Sequence, residues 1–99
     1  MAPQVQQDVV PDRVLVARMA AGDRAAWREL LARHHLSAFA IAYGILCNPD
    51  DADAVVARAF EQVWRSAPGF DLQRGTVSSW LFAITRVKAV ERLRQATSR

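Results

Sequence analysis

Nowhere in this 99-residue chain do apolar and polar residues alternate long enough to make a half-buried strand, while apolar residues recur every three or four positions almost throughout. That period belongs to helices and leaves no place for a sheet. The clearest case runs from Arg24 to Leu46. There Trp27, Leu30, Leu31, Ala38, Ile41, Ala42 and Ile45 fall on one side of a long amphipathic helix.

Breaker and cap residues divide the rest. Residues 1–11 are polar and aperiodic up to Pro11 and read as a disordered N-terminal arm. Asp12 can cap a short helix over 13–21, with Leu15, Val16 and Met19 on one face and Gly22 as its stop. Asp23 caps the long helix. Asn48-Pro49-Asp50 breaks it, and Asp50 or Asp51 opens a third helix. The acidic first turn of that helix suits the positive end of the helix dipole, and Ala52, Val56, Ala59, Phe60, Val63 and Ala67 form its buried stripe. Pro68-Gly69 ends it. A loop reaches Gly75, and Thr76 caps a fourth helix from 77 to about 95. The expected fold is all-α, a bundle of one short and three longer helices in a single domain over 12–96.

Composition narrows the function. At 52% apolar and 23% charged the chain is globular. No apolar run nears the ~18 residues that span a membrane, and the N-terminus lacks the basic and apolar regions of a signal peptide. A cytoplasmic location without a membrane partner is expected. Cys47 stands alone, which rules out a disulfide framework or a cysteine metal site, and a small buried residue is its most economical role. His34 and His35 are adjacent and face different ways, unlike a metal pair one helical turn apart. Asp50, Asp51 and Asp53 do not fit a calcium loop. Ser78 and Ser79 have no His or Asp at a spacing that would activate a nucleophile, and no glycine-rich phosphate loop is present. No cofactor, metal or enzymatic activity is therefore expected.

The last third carries the remaining signal. The net charge of +3 licenses only weak attraction to polyanions, yet five of the thirteen basic residues follow Ile84, against one acid, Glu91. Lys88 and Arg92 share one stripe of the fourth helix, and Arg86 and Arg94 lie on other faces. This fits a helix with one edge on phosphates, and it fits a solvated helix end equally well. The preceding loop joins an aromatic plate, Phe70, to the polar edges of Asp71, Gln73 and Arg74, a mixture that holds single-stranded bases at ~1–3 kcal/mol per stacked base. The other reading of Phe70 is a lid folded back over the core. The acidic residues at 50, 51 and 53 either charge a helix start or meet a basic partner. Trp27, Trp64 and Trp80 sit at core positions.

One ordered set of short motifs runs through these elements. It comprises Ala21-Gly22-Asp23 with Trp27 and Leu30, Ile45-Leu46, and Asp51-Ala52-Asp53 through Phe60 to Val63-Trp64. It continues with Phe70-Asp71 through Arg74-Gly75, and Trp80-Leu81 with Ile84, Arg86, Ala89, Leu93 and Arg94. From about Asp12 to Gln95 the chain thereby resembles region 2 of extracytoplasmic-function sigma factors. The resemblance implies a domain of packed helices whose third helix docks on the clamp helices of the largest subunit of core RNA polymerase. It also implies that the loop and last helix melt and read the minus-ten promoter element, holding the non-template strand with one base flipped. It assigns Asp51, Asp53, Val56 and Phe60 to polymerase docking, Phe60 mainly through packing. It assigns Phe70, Asp71, Arg74 and Ser78 to the loop and helix start that hold DNA, and Arg86, Lys88, Arg92 and Arg94 to the DNA backbone. An anti-sigma factor is a further partner it allows.

The chain departs from the family pattern at four places. Ala54 and Arg58 stand where acids are usual, Ala57 where glutamine is usual, and Val87 where asparagine is usual. These changes weaken docking on a basic partner and remove a base-edge hydrogen bond. They leave a second function open, a divergent sigma-like interaction module that binds an anti-sigma or other regulator without initiating transcription. Nothing in these residues encodes the second helical domain with which family members read the minus-thirty-five element.

Overall fold

Each helix starts and stops where a particular residue satisfies backbone groups that the helix itself leaves unpaired. The structure, a computed structural model, describes residues 9–97. Among them run α1 (Asp12–Ala20), α2 (Arg24–Leu46), α3 (Pro49–Ser66) and α4 (Val77–Thr97), and no strand is present. The arm expected over 1–11 lies outside the described residues as far as residue 8.

Helix α1 begins one residue earlier than expected. Pro11, extended at φ −62° and ψ 149°, takes the cap position, and Asp12 is already helical. The Asp12 carboxylate is committed elsewhere: it accepts from Arg33 Nη1 at 3.0 Å and lies 2.7 Å from His34 Nε2. This pair clasps α1 to α2. Burial works against the Arg33 charge, but the hydrogen bonds it donates to Asp12 and Glu29 hold the guanidinium above its ordinary pKa.

The α1 stop is a Schellman turn. Gly22 donates its N–H to the Met19 carbonyl at 2.9 Å, and Asp23 donates to Arg18 at 3.0 Å. Gly22 sits at φ +96°, and a Cβ there would meet nothing within 4 Å. Gly22→Ala therefore carries a conformational cost alone, expected at about 1 kcal/mol. Thermal unfolding followed by circular dichroism should show a midpoint lowered by ~4–8 °C.

Asp23 then caps α2, its Oδ1 accepting from Ala25 and Ala26 at 3.0 and 3.3 Å. Cys47 closes α2 in the left-handed region at φ 54°, with its N–H on the Tyr43 carbonyl at 2.8 Å. It is exposed, contrary to the buried role expected, because a residue that leaves the last turn in this conformation stands past the packed face. Asn48 caps α3 through Oδ1 to the Asp51 N–H at 2.9 Å, with Pro49 at the first helical position, so α3 also starts just ahead of its expected residue.

The three long helices each pack on the other two, and α1 lies across α2 with contacts to α4. Leu15, Val16 and Met19 are buried, as is the whole expected stripe of α3, with Val55 added. Ala38, Ala42, Ala52, Ala59 and Ala89 are fully enclosed. Side chains this small let the helix backbones approach closely. Around them sit Phe60, Leu30 and Leu81. Thr85, the one buried polar residue among those described, donates its hydroxyl to the Leu81 carbonyl at 3.0 Å.

The tryptophans border this core. Trp27 Nε1–H donates to the Phe60 carbonyl at 3.0 Å, and its ring meets Trp64 edge-on at 6.1 Å. The Arg24 guanidinium lies 4.3 Å from the Trp64 ring centre and 5.3 Å from that of Trp27. No helix among the described residues is long and apolar enough to cross a membrane.

Candidate nucleic-acid interface

Between α3 and α4 the chain makes two single 3₁₀ turns, Ala67–Gly69 and Leu72–Arg74. Phe70 is extended between them. Asp71 caps the second turn, its Oδ1 accepting from the Gln73 N–H at 2.9 Å. Gly75 leaves that turn at φ +140°, where a Cβ would sit 3.1 Å from Ser79 Oγ. Thr76 then caps α4 reciprocally. The Ser79 N–H donates to Thr76 Oγ1 at 3.1 Å, and the Thr76 N–H donates to Ser79 Oγ at 3.2 Å. Serine here plays the part that glutamate or glutamine plays in a capping box.

This local geometry opens a cleft of about 710 Å³ between the loop and the first turns of α4. Phe70 and Trp80 form its aromatic wall, ring centres 4.6 Å apart and planes tilted by 37°. Asp71, Arg74, Thr76 and Ser79 add hydrogen-bonding groups, and Gly75 and Ala83 keep it open. Arg74 lies 3.9 Å from Asp71, but its side chain is 87% exposed. So loose a pair leaves the guanidinium free for an incoming anion. Phe70 packs against Trp80 and also lines the cleft.

Of the residues expected to hold DNA, Phe70, Asp71 and Arg74 meet in this cleft. Ser78 does not. It is half-buried, with its hydroxyl 3.3 Å from Thr76 Oγ1, and Ser79 takes the cleft wall instead. Arg86 and Arg94 are exposed on the outward side of α4, in helical register with Ser79 and Ala83, and neither makes an ion pair among the described residues. Lys88 and Arg92 lie on the side facing α3. Arg92 is already engaged, its Nη2 2.8 Å from Asp51 Oδ1. In this structure the Arg92 guanidinium is thus shared with a carboxylate of the chain.

The same ion pair ties up one of the residues expected at the polymerase. Asp51 is part-exposed and paired, whereas Asp53 is exposed with no ion pair among the described residues. Val56 and Phe60 are 2% and 1% exposed, so neither side chain reaches a partner directly. Each can only fix the position of α3 from inside. Sequence reasoning missed Thr76, Ser79, Trp80 and Ala83 as cleft residues. Their three- and four-residue spacing, which places them on one side of a helix, was the available signal.

Residues 30–99 match the family described as Sigma-70 region 2. The ECF RNA polymerase sigma factor SigK of Mycobacterium tuberculosis is 26% identical over 80 residues, covering 81% of this chain and 43% of that protein. The RNA polymerase sigma factor CnrH of Cupriavidus metallidurans is 34% identical over 73 residues, covering 74% of this chain and 38% of that protein. The chain thus spans about two fifths of the length of these curated relatives. Among solved structures, the NMR structure of an engineered region 2 of sigmaE in complex with GTAAAA aligns at a TM-score of 0.77. It is 28% identical and covers 98% of this chain and 99% of that one.

Proposed function

We propose a function on the premise that this chain belongs to the sigma-70 region 2 family and resembles its extracytoplasmic-function members. Residues 12–96 act as a transcription initiation domain that binds core RNA polymerase through α3 and holds the single-stranded minus-ten element in the Phe70–Trp80 cleft. The observation that carries this reading is the cleft itself, an aromatic wall faced by an exposed, loosely paired guanidinium and several polar edges. Stacking and edge contacts of that kind suit unpaired bases. Duplex DNA fits less well, because Arg92 is paired within the chain and Lys88 faces α3, leaving few cations for phosphates. The GTAAAA ligand of the structural neighbour supports the same choice. The domain performs no catalysis of its own, and its place of action is the cytoplasm, where the polymerase works.

Docking rests on α3. The protein should bind purified core polymerase saturably, and Asp51→Ala with Asp53→Ala should weaken that binding about tenfold. Absence of saturable binding at low salt would refute the docking role.

A second reading, the interaction module that binds an anti-sigma or other regulator, is favoured by Arg58, an exposed cation on the same helix as the Asp51 that Arg92 partly neutralises. Ala54→Asp with Arg58→Glu separates the two. A sharp rise in polymerase affinity identifies a weakened docking face, and no rise assigns the face to another partner.

A further inference from the structure

Ala54, Ala57, Arg58 and Val87, far apart in sequence as two groups, come together in the fold. All four line the seam where α3 lies against α4, and Lys88 borders every part of it. One hollow holds Ala54 and Arg58, a second holds Ala57 and Arg65, and a third holds Val87 and Ile84.

Beside the Asp51–Arg92 pair the seam carries Arg58, Arg65 and Lys88 against Glu61 and Glu91, so cations exceed acids by one. Among the described residues, Arg58, Arg65 and Lys88 form no ion pair, and Arg92 has its own carboxylate in Asp51. The alanines at 54 and 57 leave open space beside these cations. At the other end Val87 is 58% exposed, with Trp80 and Ile84 half-buried beside it. A cationic groove that ends in an exposed aliphatic side chain has a definite complement.

We propose that the α3–α4 seam binds an acidic segment of a partner protein, with carboxylates over Arg58 and Lys88 and an aliphatic residue on Val87. Charge complementarity selects the acidic character. Glu61 and Glu91 select protein over nucleic acid. They border the same hollows, so an unbroken phosphate chain would meet repulsion where a peptide can place separate carboxylates between them. The proposal deepens the interaction-module reading and does not depend on DNA binding; the seam shares only Trp80 and Ala83 with the cleft.

The probe is a fluorescein-labelled helical peptide with glutamates one turn apart and one leucine, titrated into the full chain by anisotropy and by amide chemical shifts. Saturable binding is expected, with the largest shifts at 54–58 and 87–88. Arg58→Glu with Lys88→Glu should weaken it about tenfold. Val87→Asn should weaken it a few-fold, and a glutamine version of the peptide should bind far less. Circular dichroism checks that the variants fold.

Equal affinity for the charge-reversed variant, no saturable binding, or shifts centred on Phe70 to Gly75 would overturn the proposal. So would displacement of the peptide by an oligo-dT strand that shifts the same seam amides, which would make the seam a nucleic-acid track. A hexamer titration read at the cleft tests the DNA reading separately, so failure of one leaves the other standing.

Discussion

Replacing Phe60 by alanine is expected to lower the unfolding free energy by about 3–5 kcal/mol, the usual cost of removing a buried aromatic ring. Phe60 is 1% exposed and is among the largest side chains wholly enclosed by the bundle. Its surroundings are packed helices, which relax only partly into the space left behind. Domains of this size hold only ~5–15 kcal/mol in total. The variant should therefore melt more than ~10 °C lower, and a urea titration should show its midpoint displaced to match. Phe60→Leu keeps most of the volume and should cost less than about 1.5 kcal/mol. That second variant also tests how Phe60 acts. A residue that only positions α3 should leave polymerase affinity nearly unchanged as leucine, and a loss of affinity in a well-folded Phe60→Leu would show direct contact.

Phe70→Ala is expected to weaken binding of a single-stranded A-rich hexamer by about 1–3 kcal/mol, which is roughly 5- to 150-fold. The ring is half-buried against Trp80 at 4.6 Å, so its loss exposes Trp80 as well as removing a stacking face. Phe70→Leu separates these contributions. Leucine still covers Trp80 but offers no π-face to a base. If stacking dominates, Phe70→Leu binds the hexamer as weakly as Phe70→Ala. If covering Trp80 is the whole role, leucine restores affinity. Fluorescence anisotropy with a labelled hexamer reads both, at fixed moderate salt because the phosphate contribution falls as salt rises.

Much of this fold was legible because its signals are local. Gly22, Asp23 and Thr76 act on backbone groups within a few residues of themselves, and the α1 and α3 stripes repeat at the helical period. Pairings across the bundle left no such trace. Asp12 reads as a cap from its neighbours, yet its partners Arg33 and His34 lie more than twenty residues away. Asp51 and Arg92 read as belonging to two different partners, and the fold joins them across a separation of 41 residues.

The site divides in the same way. Phe70, Asp71 and Arg74 were legible from loop composition, since glycine, proline and polar residues around one aromatic suit a ligand-facing loop. Ser79 was not distinguished from Ser78, because a shift of one residue turns a helical side chain through about 100° and only the observed cap fixes which serine faces the cleft. The α3–α4 seam needed the packing itself. Arg58 and Lys88 are thirty residues apart in sequence, and only the contact between their helices makes them neighbours.

The most direct test of the account is a titration of the single strand GTAAAA into isotope-labelled protein, followed through its backbone amides. The account predicts saturable shifts that are largest from Phe70 to Gly75 and extend to Ser79 and Ala83, with α1 and residues 54–58 of α3 quiet. Shifts confined to other surfaces, or none that saturate, would contradict it.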